Sequence, residues 1–179
     1  AIFAKNNFDI VITYLNSEGE ALELCDFLRN KYGINTEAYK MDVTNESDIL
    51  NVLLRINRLD CIVNNAAYNN DFDLFEHTKN EFVKVLETNL IGPFLVSKYA
   101  GKIMVDQKYG KIVNISSTNG INTIYPYSVD YDASKAALIN LTKNLAIQFA
   151  PNVNVNSVAP GWVDTLMNTE LSKSYLRKE

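Results

Sequence analysis

The sequence has few of the residues that build metal sites and disulfide frameworks. His77 is its one histidine, and Cys25 and Cys61 are its two cysteines. The cysteines lack C-x-x-C spacing, and no acidic cluster at ligand spacing accompanies the histidine. We therefore expect two reduced, packed thiols and a histidine at the surface, with neither a disulfide nor metal catalysis.

Long apolar runs and an excess of positive charge are also missing. No run approaches the length needed to cross a bilayer, and the N-terminus lacks the basic, apolar and small-residue order of a signal peptide. Seventeen basic residues against twenty-one acidic ones give a net charge of -4. The sequence predicts a soluble, cytoplasmic protein that binds neither nucleic acid nor membrane.

Glycine is scarce, and none of the seven glycines forms a G-x-G-x-x-G cluster. The chain starts with AIFAKNNF, which has no initiator methionine and looks like the last turns of a helix. It contains no repeat, low-complexity tract or Pro/Gly-rich linker, so residues 1–179 are interpreted as one domain. A helix tail with no strand before it suggests that the sequence is part of a longer chain.

Short β-rich runs alternate with helical patterns. The runs are Asp9 to Tyr14, Glu37 to Val43, Cys61 to Asn64, Lys111 to Ser116 and Asn152 to Val158. Several are almost continuously apolar, as expected for strands covered on both faces. The alternation predicts a parallel sheet in a doubly wound, Rossmann-like α/β fold with three layers and a single domain.

Capping patterns predict where the helices begin. The capping-box pairs are Ser17 with Glu20 and Thr78 with Glu81. The predicted helices cover Glu18 to Lys31, Asn45 to Asn57 with Thr44 as its cap, Lys79 to Asp106, and a segment after Tyr131.

Polar and small residues follow three of the predicted strands, where ligands bind in folds of this class. Asn64 to Ala67 (NNAA) end the third run, Ser117 follows the fourth, and Ala159 to Trp162 (APGW) follow the fifth. Tyr131 and Lys135 come soon after Ser117 and, four residues apart on a helix, lie on one face. Taken singly, each could equally end a strand, form a turn or start a solvated helix.

Five motifs in this order resemble those of the short-chain dehydrogenase/reductase family over essentially the whole chain. They are LDCIVNNAA, TNLIGPF, KIVNISS, YDASK and VNSVAPGWVDT. The resemblance implies an NAD(P)-dependent oxidoreductase with the catalytic set Asn89, Ser117, Tyr131 and Lys135. It implies cofactor contacts at Asp42, Val43, Asn65, Ala66, Tyr131, Lys135, Pro160, Gly161, Val163 and Thr165. It implies substrate contacts at Ser117, Tyr127, Tyr131 and Trp162, in a pocket lined by residues 118–130 and the segment after Trp162.

Two departures from the family pattern stand out. Ala67 replaces the usual glycine, which would be costly only if that position needed a positive φ. The T-G-x-x-x-G-x-G turn that holds the cofactor pyrophosphate in this family is absent from the sequence. The chain also stops at SYLRKE, before the family's last strand. We interpret it as incomplete at both ends, so the sequence before Ala1 would decide whether the cofactor site is whole.

The tyrosine and lysine suit the protonation of a carbonyl oxygen. A free tyrosine has a pKa near 10, and a neighbouring ammonium can lower such a pKa by roughly 1 to 3 units. We therefore expect Lys135 to bring the pKa of Tyr131 closer to neutrality, where general acid–base catalysis is efficient. Ser117 would donate a hydrogen bond to the substrate oxygen. Asn89, in a helix disturbed by Gly92 and Pro93, would help hold a water.

Cofactor choice is predicted from the residues after the first run. In such folds a carboxylate there binds the adenosine ribose and repels a 2′-phosphate. Here Tyr14 is followed by Leu15, Asn16 and Ser17. With Tyr14, Asn16 and Ser17 as ribose-side contacts, NADP(H) is favoured over NAD(H).

The substrate is left open by motifs that the whole family shares. Within the family, the sequence most resembles 3-oxoacyl-acyl-carrier-protein reductases. Sugar or polyol dehydrogenases are the alternative. The hypothesis from another class is a non-catalytic dinucleotide-binding protein. A homo-oligomer, tetramer or dimer, is also implied by the resemblance. The apolar stripe of Ala133, Ala137, Leu141, Leu145 and Phe149 would face either a partner or the chain's own sheet.

Overall fold

The computed structural model describes residues 1–163, which form two compact units, residues 1–58 and the described residues from 59 onward. Within this described part, no helix is long and apolar enough to cross a membrane. The single-domain organisation stays a prediction.

The first unit pairs two parallel strands with helices. It contains α1 (Ile2–Lys5), β1 (Ile10–Tyr14), α2 (Glu18–Tyr32), β2 (Thr36–Lys40) and α3 (Glu46–Leu53). β1 and β2 pair in parallel from Ile10 opposite Thr36 to Tyr14 opposite Lys40. Ala4, Leu28 and Ile34 form its buried cluster, against which Ile10 and Ile12 pack.

The second unit has a three-stranded parallel sheet in the order β3, β4, β5. Its elements are β3 (Cys61–Asn64), α4 (Lys79–Leu86), a π-helical segment (Glu87–Ile91), α5 (Gly92–Asp106), β4 (Gly110–Ile115), a 3-10 turn (Thr118–Gly120), α6 (Val129–Gln148) and β5 (Val153–Val158). Parallel strands joined through helices are the predicted α/β arrangement, which is confirmed as a Rossmann-like fold.

Buried amides tie this sheet to its helices. Asn64 on β3 donates to Asn114 on β4 at 2.8 Å and to Ser97 on α5 at 3.1 Å. Asn114 in turn donates to Thr142 on α6 at 2.8 Å. All four side chains are buried and hydrogen-bonded to one another. The network therefore holds the strand ends in place, and each of these buried polar side chains has a hydrogen-bonding partner.

The strand predictions are correct to within a few residues, with the largest difference at β2. The predicted run Glu37 to Val43 ends as a strand at Lys40. Beyond it, Asp42 accepts hydrogen bonds from the amide and hydroxyl of Thr44 at 2.8 and 2.7 Å. This local turn competes with continued pairing and ends the strand.

The helix caps differ more from the sequence patterns. Ser17 precedes α2 but its side chain makes no capping hydrogen bond, so the predicted capping box is wrong there. The third helix is capped by Asn45, which accepts from Ser47 and Asp48, and not by Thr44, whose hydroxyl is bonded to Asp42. Thr78 does cap α4, accepting from the Glu81 amide at 3.2 Å.

The buried face of α6 settles how the predicted apolar stripe lies. Ser134, Leu138, Thr142 and Leu145 are buried within the unit, whereas Ala133 is exposed and Ala137, Leu141 and Phe149 are partly buried. Of the five residues of the predicted stripe, only Leu145 is fully buried within the unit. The stripe therefore does not face the chain's own sheet as a whole.

Candidate active site

Ser117 lies just past the carboxyl end of β4, at the start of the 3-10 turn. The preceding Ser116 is fixed to β5, because its amide and hydroxyl both donate to the Val158 carbonyl, at 2.8 and 2.9 Å. The Ser117 hydroxyl accepts from the Asn119 amide at 3.2 Å and donates to the Asn119 side chain at 3.3 Å. The side chain is thus held at the sheet edge by its own loop.

Tyr131 and Lys135 lie in the first two turns of α6 and meet Ser117 there. The Ser117 hydroxyl lies beside the Tyr131 phenol and acts to lower its pKa. The Lys135 ammonium is 5.3 Å from the centroid of the Tyr131 ring and donates to the Ile115 carbonyl at 2.9 Å. The helix begins at Val129, two residues before Tyr131, so the phenol projects from its first turn toward the end of β4. The structure therefore brings together the predicted trio.

The expected effect of Lys135 on Tyr131 is wrong in this structure. Burial raises the pKa of Tyr131 above its ordinary value of 10.0; the Ser117 hydrogen bond lowers it and the charge of Asp132 raises it further. Burial also lowers the pKa of Lys135 to about 8. The ammonium lies over the ring and is bonded to Ile115, so burial outweighs its attraction for the phenolate. Tyr131 is therefore a protonated phenol at neutral pH.

Asn89 lies in the π-helical segment and is completely buried. Its amide donates to the Tyr68 carbonyl at 2.9 Å and to the Ser134 hydroxyl at 3.1 Å, and its oxygen accepts from the Tyr68 amide at 2.7 Å. The widened helical turn aims this side chain at α6. Asn89 thus connects the residue after NNAA with the helix that carries Tyr131 and Lys135.

Two residues of the site, Asp132 and Asn119, were not predicted from the sequence patterns. Asp132 follows Tyr131 and accepts from Asn119 at 2.7 Å, from Ser128 at 3.1 Å and from the Tyr125 amide at 3.2 Å. Asn119 therefore bridges Ser117 to α6. Their only signal in the sequence is a polar residue beside each motif, which is too common to single them out.

Gly120 allows the 3-10 turn to approach α6 closely. A β-carbon at Gly120 would lie 2.7 Å from the carbonyl carbon of Lys135 and 2.8 Å from the Ala136 nitrogen. Such distances require backbone movement, so a glycine is needed at this contact. No local sequence pattern indicates this requirement, because the contact is made with residues of a separate helix.

The expectation of a surface histidine is also wrong. The His77 side chain is 6% exposed, and its Nε2 atom lies 2.9 Å from the Oδ2 atom of Asp130. Thr78 begins α4 directly after it, so the histidine is held where the loop enters the helix.

The predicted cofactor contacts of the second unit lie at strand ends. Asn65 and Ala66 are exposed directly after β3, and Pro160 accepts a hydrogen bond from the Thr118 amide at 3.0 Å. Gly161 and Val163 are exposed, and Thr165 lies outside the described residues. Among the described non-glycine residues, positive φ occurs at Asn7 and Lys108, not at Ala67. The alanine therefore needs no strained backbone.

The predicted contacts of the first unit follow β1 and β2. Asn16 and Ser17 are exposed, and Asp42 and Val43 are partly buried. The Tyr14 hydroxyl donates to Glu18 at 2.8 Å, and this bond raises the pKa of Tyr14. Glu18 directly follows Ser17 in the sequence, and the helix brings its carboxylate beside the predicted ribose contacts. Within the first unit, these exposed polar groups suit hydrogen bonds to a ribose or a phosphate.

The predicted substrate contacts include an aromatic cluster. Tyr125 packs edge-on against both Tyr127 and Trp162, with ring centroids 5.8 and 6.4 Å apart. Tyr127 keeps 49% of its surface exposed. These rings lie on the loop between Ser117 and Tyr131 and on the segment after β5, and they form an apolar surface there.

Known proteins share this arrangement of elements. The short chain dehydrogenase family profile matches residues 1–176. The FabG 3-oxoacyl-[acyl-carrier-protein] reductase of Aquifex aeolicus is 36% identical over 174 residues, covering 94% of this chain and 69% of that protein. The acetoin dehydrogenase YohF of Salmonella typhimurium is 29% identical with a TM-score of 0.86, covering 96% of this chain and 70% of that one.

A structure of ElxO with NADP bound is 35% identical, with a TM-score of 0.82 over 93% of this chain and 68% of that one. The match to the family profile runs through every strand and helix described above. It includes the segments that place Ser117, Tyr131 and Lys135 at one edge of a parallel sheet. The chain belongs to the short-chain dehydrogenase/reductase family of NAD(P)-dependent oxidoreductases.

Proposed function

We propose that the chain interconverts a ketone and a secondary alcohol, with Tyr131 as the proton donor to the carbonyl oxygen. The observation that carries this proposal is the meeting of Ser117, Tyr131 and Lys135 at the end of β4, with the phenol half-buried and protonated. A protonated phenol is the form needed in the direction of reduction.

The cofactor supplies the hydride when it is bound, whereas the chain's own residues supply the proton and position the substrate. Asn65, Ala66, Lys135, Pro160, Gly161 and Val163 are the proposed contacts in the second unit, and Tyr14, Asn16, Ser17, Asp42 and Val43 those in the first. Thr165 stays a predicted contact. Every described member of these sets except Lys135 retains exposed surface.

Ser117 and Lys135 have separate roles in this proposal. The Ser117 hydroxyl would leave Asn119 and donate to the substrate oxygen, where negative charge develops as the carbonyl is reduced. Lys135, already fixed by the Ile115 carbonyl, would hold the nicotinamide ribose and keep a positive charge beside the site. Asn89 would maintain the position of α6 through Ser134.

The proposed substrate is a 3-oxoacyl group carried by acyl carrier protein. Similarity to a reductase of that name supports the choice. The partly exposed ring of Tyr127 and the apolar faces of Tyr125 and Trp162 suit an acyl chain more than a sugar. A sugar, polyol or other alcohol dehydrogenase is the alternative, and similarity to an acetoin dehydrogenase supports a small hydroxyketone.

The direct test is oxidation of NADPH by the full-length protein, followed at the absorbance of the reduced nicotinamide. The panel contains a 3-oxoacyl thioester, acetoin with diacetyl, and a sugar ketone. We expect the highest kcat/KM with the thioester. A preference for acetoin or for the sugar would replace the substrate, whereas cofactor binding without turnover on any carbonyl would favour a non-catalytic dinucleotide-binding protein.

NADP(H) is the proposed cofactor, and Glu18 opposes it. Asn16 and Ser17 can donate to a 2′-phosphate, and Lys40 is the register partner of Tyr14 on β2. Glu18, bonded to Tyr14, places a negative charge in the same place. Because these groups are exposed, the opposing charge has a modest effect.

Replacing that carboxylate tests the cofactor choice. Glu18→Gln removes the charge near the 2′-phosphate and is expected to increase affinity for NADPH relative to NADH by about two- to fivefold. Dissociation constants for both nucleotides, measured by fluorescence titration of the full-length protein, give the ratio. Glu20→Gln makes the same charge change in the same turn and should leave the ratio unchanged. An equal shift in both variants would place the 2′-phosphate elsewhere.

A homo-oligomer, dimer or tetramer, is proposed on the outer faces of α5 and α6. Ile91, at the end of the π-helical segment, and Phe94 on α5 keep 43% and 40% of their surface exposed, and Ala133 is exposed on α6. Light scattering on the full-length protein tests this assembly, and a monomer at micromolar concentration would contradict it. The cytoplasmic location stays a prediction.

A further inference from the structure

A fully buried carboxylate stands directly before the proposed proton donor. The Asp130 side chain has 0% exposure. Its Oδ1 atom accepts from the Tyr131 amide at 2.8 Å, within the first turn of α6. The helix N-terminus attracts the negative charge, but a carboxylate removed from water also needs a partner for its second oxygen.

The polar group that faces this second oxygen lies on the loop between β3 and α4. Nε2 of His77 lies 2.9 Å from Oδ2 of Asp130. The contact falls outside hydrogen-bond geometry: within residues 1–163, the two His77 nitrogens and Oδ2 of Asp130 have no hydrogen-bonding partner. The two buried polar groups therefore interact through their short separation, since electrostatic interactions are strong at short distance away from water.

Aromatic rings hold the imidazole in this position. Phe72 and Phe82 lie on either side of it in the sequence, with ring centroids 5.4 and 6.0 Å from that of His77. The ring is therefore packed as an aromatic residue while its Nε2 edge meets the carboxylate. Packing and charge can be separated by substitution, since different atoms of His77 carry them.

The same loop contacts the site at two further points. The Phe72 amide donates to the Tyr127 carbonyl at 3.0 Å, and both backbone groups of Tyr68 bond to Asn89. The His77 contact is the one that reaches the residue next to Tyr131. The loop consequently joins the proposed substrate-side residue Tyr127 to the turn that carries the proton donor.

We propose that His77 is a positioning residue for the reaction, acting through Asp130 to fix the first turn of α6 and thereby the phenol of Tyr131. The proposal rests on the proposed function, because it concerns the placement of that proton donor. Neither His77 nor Asp130 needs to touch the substrate. Loss of their contact would let the turn shift, which alters the chemical step more than cofactor binding.

The experiment separates the polar contact of His77 from its packing in the full-length protein. His77→Phe keeps a ring between Phe72 and Phe82 but removes the contact with Asp130, and His77→Gln keeps an N–H group but removes the ring. Asp130→Asn keeps the acceptor for the Tyr131 amide and removes the charge. Phe82→Leu disturbs the packing of His77 without changing either polar group and is the matched control.

Turnover with NADPH and the carbonyl substrate is measured beside the dissociation constant of NADPH. His77→Phe and Asp130→Asn should each lower kcat by about 10- to 100-fold, with NADPH affinity and substrate KM almost unchanged. The double variant should be no slower than the slower single variant, because both changes remove one contact. His77→Gln should recover most of the lost turnover, and Phe82→Leu should retain wild-type turnover.

The remaining outcomes show whether the proposed function or the role of His77 is wrong. A wild-type protein without turnover contradicts the proposed function and this inference with it. An active wild type whose His77→Phe and Asp130→Asn variants keep their kcat overturns the inference alone. Multiplicative losses in the double variant, or equal losses in Phe82→Leu and His77→Phe, would show that the histidine acts through packing. If His77→Phe does not fold, the kcat values of Asp130→Asn and His77→Gln still test the role of His77.

Discussion

At the scale of single residues, Lys135 lies beside the ring of Tyr131, and burial changes the pKa of both groups. An i, i+4 pair on a helix must lie on one face, so the ring and the ammonium are close, as found. Burial depends on the loops and strands that cover the helix, which the local sequence does not reveal. Burial lowers the pKa of Lys135 to about 8 and raises that of Tyr131.

The lowered pKa of Lys135 makes folding stability depend on pH. From about pH 8 to 10.5 an unfolded chain holds the Lys135 proton, at its ordinary pKa of 10.5, while the folded chain has lost it. The unfolded state binds more protons, so stability rises with pH in this window, and the penalty is fully present below pH 8.

Lys135→Met removes that titration. The free energy of unfolding, from urea melts of both proteins between pH 7.5 and 10, should rise in the wild type relative to the variant with a slope approaching about 1.4 kcal/mol per pH unit. Groups common to both proteins cancel in the difference. A difference that stays flat across this range would mean that the folded lysine titrates at its ordinary pKa.

The other residues missed by the sequence share a physical cause. His77 and Asp130 are far apart in the chain, and each looks like an ordinary polar residue in its own segment. Motifs identify residues by their neighbours in sequence, whereas this pair forms only when separate segments fold together. Glu18 is only four residues from Tyr14, and their contact depends on how the β1–α2 turn places the first helical turn.

At the scale of elements, alternating strands and helices are predicted well because apolar periodicity extends over many residues. The helix predicted over Lys79 to Asp106 is continuous but contains the π-helical segment at Glu87–Ile91. Gly92 and Pro93 indicated a disturbed helix, but not where the turn would widen. The widened turn follows from the contacts of Asn89 with Tyr68 and Ser134, which no local propensity encodes.

The contact between the 3-10 turn and α6 gives a prediction at this scale. Gly120→Ala forces a β-carbon against the Lys135 backbone and should lower the free energy of unfolding by about 1 to 3 kcal/mol. It should also lower turnover, since the turn holds Ser117. Urea melts and steady-state kinetics provide the two measurements.

Gly19→Ala is the control for that glycine substitution. No atom lies within 4 Å of a β-carbon at Gly19, which is in the first turn of α2. Alanine there should leave stability unchanged or increase it by up to about 1 kcal/mol. Equal destabilisation by both substitutions would contradict the claim that the contact of Gly120 with α6 requires a glycine.

At the scale of the whole molecule, composition and motif order predicted the α/β class and the family, and both are confirmed. Composition could not identify the substrate, because the family shares its proton donor across many carbonyl compounds. The seven glycines form no G-x-G-x-x-G cluster, so cofactor binding is predicted from the strand-end residues and not from a phosphate-binding motif.

Cofactor binding should stabilise the folded protein by mass action. NADPH at about 100 times its dissociation constant should add about 2.7 kcal/mol to the free energy of unfolding. A thermal melt of the full-length protein with and without NADPH measures this as a rise in Tm. Equal melting temperatures at saturating NADPH would contradict the assignment of Asn65, Ala66 and Lys135 to a dinucleotide site.

The most direct test of the central claim is the turnover of Tyr131→Phe in the full-length protein, measured beside its NADPH affinity. The substitution removes one hydroxyl and keeps the ring next to Lys135. If Tyr131 is the proton donor, kcat should fall by about 100-fold or more, while the dissociation constant of NADPH stays within about twofold of the wild type. Turnover close to that of the wild type would contradict the account.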